Sequence, residues 1–363
     1  VLIKLQPKKR KYDVTLLTAL LFLVAFGLII LYSTSAYNGE VKFHDSFYYL
    51  KKQAFATGLG IAGMLIVAKM DYHIWRHMAL LGYLIAILLA VAVLFVGEEY
   101  NGSKRWLSLG PFSFQPSEFA KVAVILLLAH IVSKNVKEMV KLSALAKVML
   151  LILPIVGLVG ASNLSTAIII LGIGVIVVFV ASPKYGQFIF MGVLGTGFMT
   201  IFLALESYRL ERLEIWRNPE KFEKGYQTLQ GLYAIGSGGL FGRGLGESVQ
   251  KLGFVPEAQN DMIFSIICEE LGLFGAGFVM ILFLILIWRF FVIATHAEDL
   301  FGALIASGAM AHMMIQVILN IAVVTNTIPN TGITLPFVSY GGTSVVFLLL
   351  EMGLVLSVSS MVR

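Results

Sequence analysis

The chain has 363 residues, of which 58% are hydrophobic and only 13% charged, with a mean hydropathy of +0.88. Soluble domains carry about 25% charge, so this balance excludes a soluble multidomain protein and fits one polytopic membrane bundle. The formal net charge is +6, and the single cysteine, Cys268, excludes an intramolecular disulfide and a cysteine-based metal cluster.

Lys4, Lys8, Lys9, Arg10 and Lys11 precede an apolar run far longer than a signal-peptide core, and no small-residue cleavage pattern closes it. A retained first helix anchored by the positive-inside effect is expected, not a nucleic-acid-binding arm. Each helical crossing needs roughly 20 apolar residues. On that measure ten crossings are predicted, over residues 14–37, 48–68, 74–96, 117–131, 142–161, 164–182, 185–205, 262–293, 300–328 and 335–362. The fourth is short unless 112–116 continues it. The expected fold class is therefore all-α, a polytopic membrane protein of about ten transmembrane helices forming a single domain over 1–363. With the N-terminus cytoplasmic, Lys69 with Arg76, and Lys134, Lys137, Lys141 and Lys147, lie between crossings or at their inner ends, on the same side as the basic N-terminus, which places both termini in the cytoplasm. The long charged, glycine-rich interruption at 206–260, between helices 7 and 8, is then an extracytoplasmic loop.

Polar residues inside apolar stretches are expensive and mark candidate functional positions. Arg105, in NGSKRWLSLG ahead of the fourth helix, is an ordinary loop arginine or an anion ligand. Glu118 and Lys121 stand three apart on one helix face, near enough to pair. A helix-locking salt bridge and a place in a polar substrate-holding cavity both fit. Within the long loop, 206–217 alternates charge with Tyr208, Leu210, Leu213 and Trp216, a short interfacial or solvated helix that Pro219 ends. The glycines of IGSGGLFGRGLG (235–246) allow an anion-binding nest, with Arg243 and Lys251 as positive charge near an anionic headgroup, or a re-entrant hairpin. No preceding strand and no GK[ST] accompany them, so they are not a nucleotide signature.

Asp261 lies where the polar loop meets an apolar helix. It is either an N-cap or first-turn aspartate favoured by the helix dipole or a partly buried general base. Glu269 and Glu270 follow in that helix and either pair structurally or tune a cavity. His312, Gln316 and Asn320 recur at i, i+4, i+8, an arrangement for interhelical hydrogen bonds. Ser339-Tyr340-Gly341-Gly342, after Pro336, interrupts the start of the last crossing, and Glu351 further along is placed to pair with a neighbouring helix. No spacing supports a metal cluster or a serine–histidine–acid arrangement.

Together these segments resemble the SEDS family of bacterial membrane proteins for shape, elongation, division and sporulation. The resemblance is carried by YSTSAY (32–37), GSKRWLSLG (102–110), QPSEFAK (115–121), GYQTLQGLYAIGSGGLFGRGLGESVQK (225–251), PEAQNDMIFSIICEELG (256–272) and TGITLPFVSYGGTS (331–344), in family order. It implies a ten-helix peptidoglycan glycosyltransferase that polymerises lipid II into nascent glycan on the outer face of the cytoplasmic membrane. The implied partner is a class B penicillin-binding protein, a transpeptidase, with other divisome or sporulation proteins; no nucleic acid is implied. Asp261 matches the essential acidic residue, Glu118 and Lys121 flank the central cavity, and Arg105 matches an outer-loop arginine. Pro256 and Glu257 open the catalytic motif, and Ser339 joins the cavity residues.

Two departures stand out. The family often has His-Thr ahead of the aspartate, whereas Gln259-Asn260 stand here and offer no histidine relay. The family's Pro-Asp-Leu-Gly-Thr reads Ser162-Asn163-Leu164-Ser165-Thr166, so Asn163 forms hydrogen bonds but supplies no negative charge. Asn163, Glu270, His312 and Asn320 are accordingly assigned structural or tuning roles. Thr334 before Leu335-Pro336 and the PEAQND form resemble the division branch first, the sporulation branch next and the elongation branch least, implying a septal or forespore location.

The mechanism so implied has Asp261 deprotonating or orienting a lipid II sugar 4-hydroxyl, which displaces undecaprenyl pyrophosphate at the anomeric carbon of the growing glycan with inversion. Arg105, Arg243, Lys251 or a divalent cation (Mg or Mn, with Asp261 as candidate ligand) would meet the pyrophosphate charge. No organic cofactor is expected. A lipid II flippase is the rival reading, because intramembrane charges and a broken last helix also fit alternating access. A non-catalytic scaffold for the penicillin-binding protein is the third.

Overall fold

The computed structural model describes residues 11–100, 103–109, 112–189, 192–193 and 213–362. Its helices are α1 (Val14–Phe43), α2 (Tyr48–Lys69), α3 (Ile74–Val96), α4 (Pro116–Lys134), α5 (Leu142–Ser162), α6 (Leu164–Ala181), α7 (Tyr226–Gly238), α8 (Ile263–His296), α9 (Leu300–Val324) and α10 (Gly342–Ser359). All but α2 and α7 are long and apolar enough to cross a membrane, which makes eight among the described residues where the sequence predicts ten. Lys51, Lys52, Gln53 and Lys69 dilute the apolar run of α2. The predicted seventh crossing, 185–205, lies for the most part outside the described residues, as does the start of the 206–217 segment; 213–217 is helical. The chain is a multi-pass helical membrane protein.

Helix ends depart from the predicted crossings where apolar content and helix formation part company. α1 continues past residue 37 to Phe43 and stops at His44, whose backbone is left-handed (φ 54°). The stretch 112–116 does not lengthen α4. Instead 98–114 forms a three-stranded antiparallel sheet of β1 (Glu98–Tyr100), β2 (Ser103–Leu109) and β3 (Phe112–Phe114), in the order β1-β2-β3. Pro116 then opens α4 at its first helical position, where a missing N–H is harmless. Residues 335–341 are an irregular turn, and the last helix begins only at Gly342.

α4, α9 and α10 are the most enclosed crossings, whereas α3 turns most of its surface outward through Leu80, Leu81, Leu84 and Leu88. Without a hydrophobic drive between lipid-like surfaces, close packing decides such contacts. α2 and α10 meet through small residues: a Cβ on Gly60 would stand 2.6 Å from the Leu349 side chain. At the start of α1, the carboxylate of its N-cap Asp13 is gripped by Arg289 of α8.

The most consequential feature is a break in α8. Gly272 is non-helical (φ 65°, ψ −163°), so α8 is two helices meeting at an angle. Backbone groups freed by such a break need partners, because hydrocarbon offers none. Segment 239–244 supplies them. Arg243 and Gly244 donate N–H bonds of 2.9 Å each to the Glu269 and Glu270 carbonyls, while Gly239 and Leu240 carbonyls accept from Leu273 (3.0 Å) and Phe274 (3.2 Å). The approach demands glycine: a Cβ on Gly242 (φ 77°) would lie 2.2 Å from the Glu270 carbonyl oxygen. The glycine run is thus a seam in a broken helix. Its amides at 242, 243 and 244 are taken by the carbonyls of Gly238, Glu269 and Glu270, which leaves no anion-binding nest there.

Gly242→Ala should lower stability by roughly 1–3 kcal/mol through strained backbone alone, with further loss from the clash. Gly236→Ala, in α7 with open space around the added carbon, should be neutral or slightly stabilising. Thermal unfolding of the two variants in the same detergent checks the contrast.

Candidate active site

Asp261 sits immediately before α8 and is buried, 8% exposed. The α8 cap position is Met262 and makes no side-chain cap bond, so Asp261 does not serve as the helix cap. Three elements hold it instead. From α9, Asn320 Nδ2 donates to the Asp261 carbonyl at 2.9 Å and to the Ile333 carbonyl at 2.7 Å. From the first turn of α7, Gln227 Nε2 donates to Asp261 Oδ1 at 3.2 Å and to the Pro256 carbonyl at 3.2 Å. From the α9–α10 loop, Asn330 Nδ2 donates to Gln227 Oε1 at 3.0 Å.

The turn ahead of Asp261 hinges on Glu257, a non-glycine residue with left-handed backbone (φ 53°). Asn260 closes that turn through its N–H to the Glu257 carbonyl (2.9 Å) and its side-chain amide to the Glu257 carboxylate. Burial first, and the nearby Glu257 charge second, push the Asp261 carboxyl up to about 7. A carboxyl balanced there gives and takes a proton at neutral pH. Gln259, which stands where the family often has histidine, is structural: its side-chain oxygen accepts from Asn38 of α1 (3.1 Å) and its carbonyl from Tyr340 N–H (2.8 Å).

Glu118 and Lys121 pair at 2.9 Å with both side chains buried. The pair is one end of a chain across α4, α9 and α10. Gln316 Oε1 accepts from Lys121 (3.1 Å) and lies 2.9 Å from His312 Nε2, while His312 Nδ1 is 2.8 Å from Glu351 Oε2. Gln316 Nε2 donates to the Thr334 carbonyl at 3.1 Å. The polar face of α9 therefore runs from Glu351 through His312 and Gln316 to Asn320 and the backbone of Asp261. Ser339 Oγ accepts from Leu335 N–H (2.8 Å), which sets the turn before α10.

Arg105, half-buried on β2, donates from Nε to the Ser162 carbonyl at 3.0 Å and lines a small cleft with Ser117, Ser162 and Asn163. Asn163 Oδ1 caps α6 by accepting from Thr166 N–H at 3.2 Å. A cap needs an acceptor and no charge, so asparagine fills this position as well as aspartate does. Ser165 Oγ donates to the Thr331 carbonyl (3.2 Å), tying the start of α6 to the loop beside Asp261.

Lys251 belongs elsewhere. Its Nζ donates to Glu270 Oε1 (2.6 Å), Ser33 Oγ (2.9 Å) and the Gly246 carbonyl (2.7 Å), which occupies all three donors. Glu269 accepts from Ser248 Oγ and from the N–H groups of Val249 and Gln250. Arg243, 3.6 Å from Glu269 Oε1, keeps a 42% exposed side chain. Lys251 and Arg243 thus gather at the α8 break, apart from the bonds that hold Asp261.

Among the described residues, no group of three or more His, Cys, Asp or Glu converges to hold a metal. Asp261 with Glu257 fits only an ion of the magnesium type, which takes its remaining ligands from water and substrate phosphates. Sequence reasoning missed Gln227 and Asn330. Amides in polar loops carry no periodicity and no burial signature, so only the fold singles them out. Lys251→Ala should destabilise the protein by about 3–5 kcal/mol, the scale for orphaning a buried charge. A normal melting temperature with weakened binding of an anionic substrate would instead make Lys251 a ligand.

The family model described as cell cycle protein, FtsW/RodA/SpoVE, matches residues 14–363. Stage V sporulation protein E of Bacillus subtilis (strain 168) is 40% identical over 365 residues, covering 97% of this chain and 98% of its own. A probable peptidoglycan glycosyltransferase FtsW of Trichlorobacter lovleyi is 35% identical over 356 residues, 96% of this chain and 93% of its own. A solved structure of a peptidoglycan synthase complex, concerned with how polymerisation and crosslinking are coordinated, contains a chain with a TM-score of 0.82 and 30% identity, covering 96% of this chain and 97% of that one. Identities of this size do not separate the division, sporulation and elongation members. Matched along nearly its whole length, the chain belongs to the FtsW/RodA/SpoVE family of cell cycle proteins, the SEDS family its motifs resemble.

Proposed function

We propose that this chain is a peptidoglycan glycosyltransferase that polymerises lipid II on the outer face of the cytoplasmic membrane, in division septum or spore cortex synthesis. The observation that carries the reading is Asp261, a buried carboxyl pushed up to about 7 and held by the Gln227 amide. Such a group takes the proton of an attacking sugar 4-hydroxyl. The new bond forms between that oxygen and the anomeric carbon of the glycan. The bond to the lipid pyrophosphate breaks, and its electron pair leaves with the pyrophosphate. Arg105 is the candidate for meeting that charge, and a divalent ion held by Asp261, Glu257 and the substrate would supply the same neutralisation. Glu118 and Lys121 organise the cavity floor.

The lysines flanking alternate crossings support cytoplasmic termini, which puts Asp261 on the outer side. Likeness to a chain of a peptidoglycan synthase complex supports a class B penicillin-binding protein as partner. Thr334 before Leu335-Pro336 and the PEAQND form of residues 256–261 support those branches over elongation. One observation favours a second reading, lipid transport: the buried polar groups Glu118, Lys121, Gln316, His312 and Glu351 form a continuous chain across α4, α9 and α10.

Purified protein with its penicillin-binding partner, supplied with lipid II and Mg2+, should form glycan polymer, and Asp261→Asn should form none. Unchanged polymer from that variant removes Asp261 from the mechanism, while flipping that persists without polymer separates the two readings. Because the base must be ionised, the wild-type rate should rise as pH passes through about 7. Glu257→Gln removes a like charge and should move that rise to lower pH by up to about one unit.

A further inference from the structure

Resting on the role proposed for Asp261, we infer that Gln227 is a positioning residue that presents this carboxylate to substrate, and that Asn330 acts through Gln227 by fixing which way its amide faces. An amide can turn over and offer either its oxygen or its nitrogen. Here the choice is forced. Asn330 Nδ2 donates to Gln227 Oε1 at 3.0 Å, so Gln227 Nε2 must face the other way, where it bonds Asp261 Oδ1 and the Pro256 carbonyl. Asn330 is itself fixed, since its Oδ1 accepts from Gly332 N–H at 3.1 Å. Turned over, the Gln227 amide would set an oxygen against a carboxylate.

The loop that carries Asn330 is pinned on both sides. Trp216 Nε1 donates to the Asn326 carbonyl (2.9 Å), and Asn326 Nδ2 donates back to the Trp216 carbonyl (3.3 Å). On the other side Asn320 holds Ile333 and Asp261 together. The α9–α10 loop and α7 thus meet at the carboxylate through two amides in series. The Asp261 carboxyl also accepts from its own N–H and from Met262 N–H, and among the described residues Gln227 is the side-chain donor that reaches it from a separate element. Among the described residues, those bonded around the carboxyl are neutral apart from Glu257: α7 contributes Gln227, α9 contributes Asn320, and the loop contributes Asn330 and Gly332.

Gln227→Met, near in size and unable to donate, should lower kcat for polymerisation about tenfold while KM for lipid II moves less than about twofold, because the carboxylate loses its aim and the lipid keeps its contacts. Asn330→Ala leaves Gln227 in place but frees its amide, and should give the same kind of loss in kcat, smaller. In the double variant the second change should add nothing, because Asn330 acts through Gln227. The assay is glycan polymerisation by the full chain with its partner, alongside melting temperature. A rise in KM with kcat unmoved, or effects that simply add in the double variant, overturns the inference. If instead Asp261→Asn polymerises normally, the underlying assignment of Asp261 fails, a different outcome from the same experiment.

Discussion

The break in α8 and the segment that closes it set the geometry on which the rest depends. A long helix interrupted at Gly272 exposes backbone groups that lipid cannot satisfy, and 239–244 satisfies them by approaching at distances only glycine permits. Lys251, Glu270 and Ser33 then bolt the joint to α1 with a buried ion pair. The short first part of α8 is thereby freed from the direction of the second. Asp261 stands at its beginning, where a straight helix would have carried the chain elsewhere.

The polar face of α9 is the second organising element. Buried polar groups in a low-dielectric bundle need partners. Here Glu351, His312, Gln316, Lys121 and Glu118 are linked in series, with Glu118 Oε2 and Glu351 Oε1 making no hydrogen bond among the described residues, and Gln316 and Asn320 also reach the carbonyls of Thr334 and Ile333. The same face that binds α4 and α10 to α9 thus shapes the irregular turn before α10. Removing one member orphans its neighbour, so stability and site geometry are coupled along this helix.

Electrostatics at Asp261 follow from what surrounds it. Burial raises its pKa and Glu257 adds a like charge, while backbone N–H donors of Asp261 and Met262 and the Gln227 amide act in the opposite sense. Glu257 occupies left-handed backbone that costs a non-glycine residue on the order of 1 kcal/mol. The surrounding turn, closed by Asn260, sustains it. The carboxyl is held where both protonation states are accessible.

Much of the scaffold was legible in the residues alone, because apolar length states a crossing directly: α3 begins and ends where its apolar run does. The motifs likewise identified Asp261, the Glu118–Lys121 pair at its three-residue spacing, and the polar stripe of His312, Gln316 and Asn320. Other features were out of reach of pattern. Residues 112–114 became a strand, and the glycine run became a seam with its amides already taken. Lys251 was captured by Glu270, nineteen positions away. Gln227 and Asn330 reached Asp261 from separate parts of the chain. Local composition determined which segments enter the membrane, since burial in lipid is a property each helix carries by itself. Which donor meets which acceptor was decided only by the packed fold, since a hydrogen bond depends on two partners and the path that brings them together.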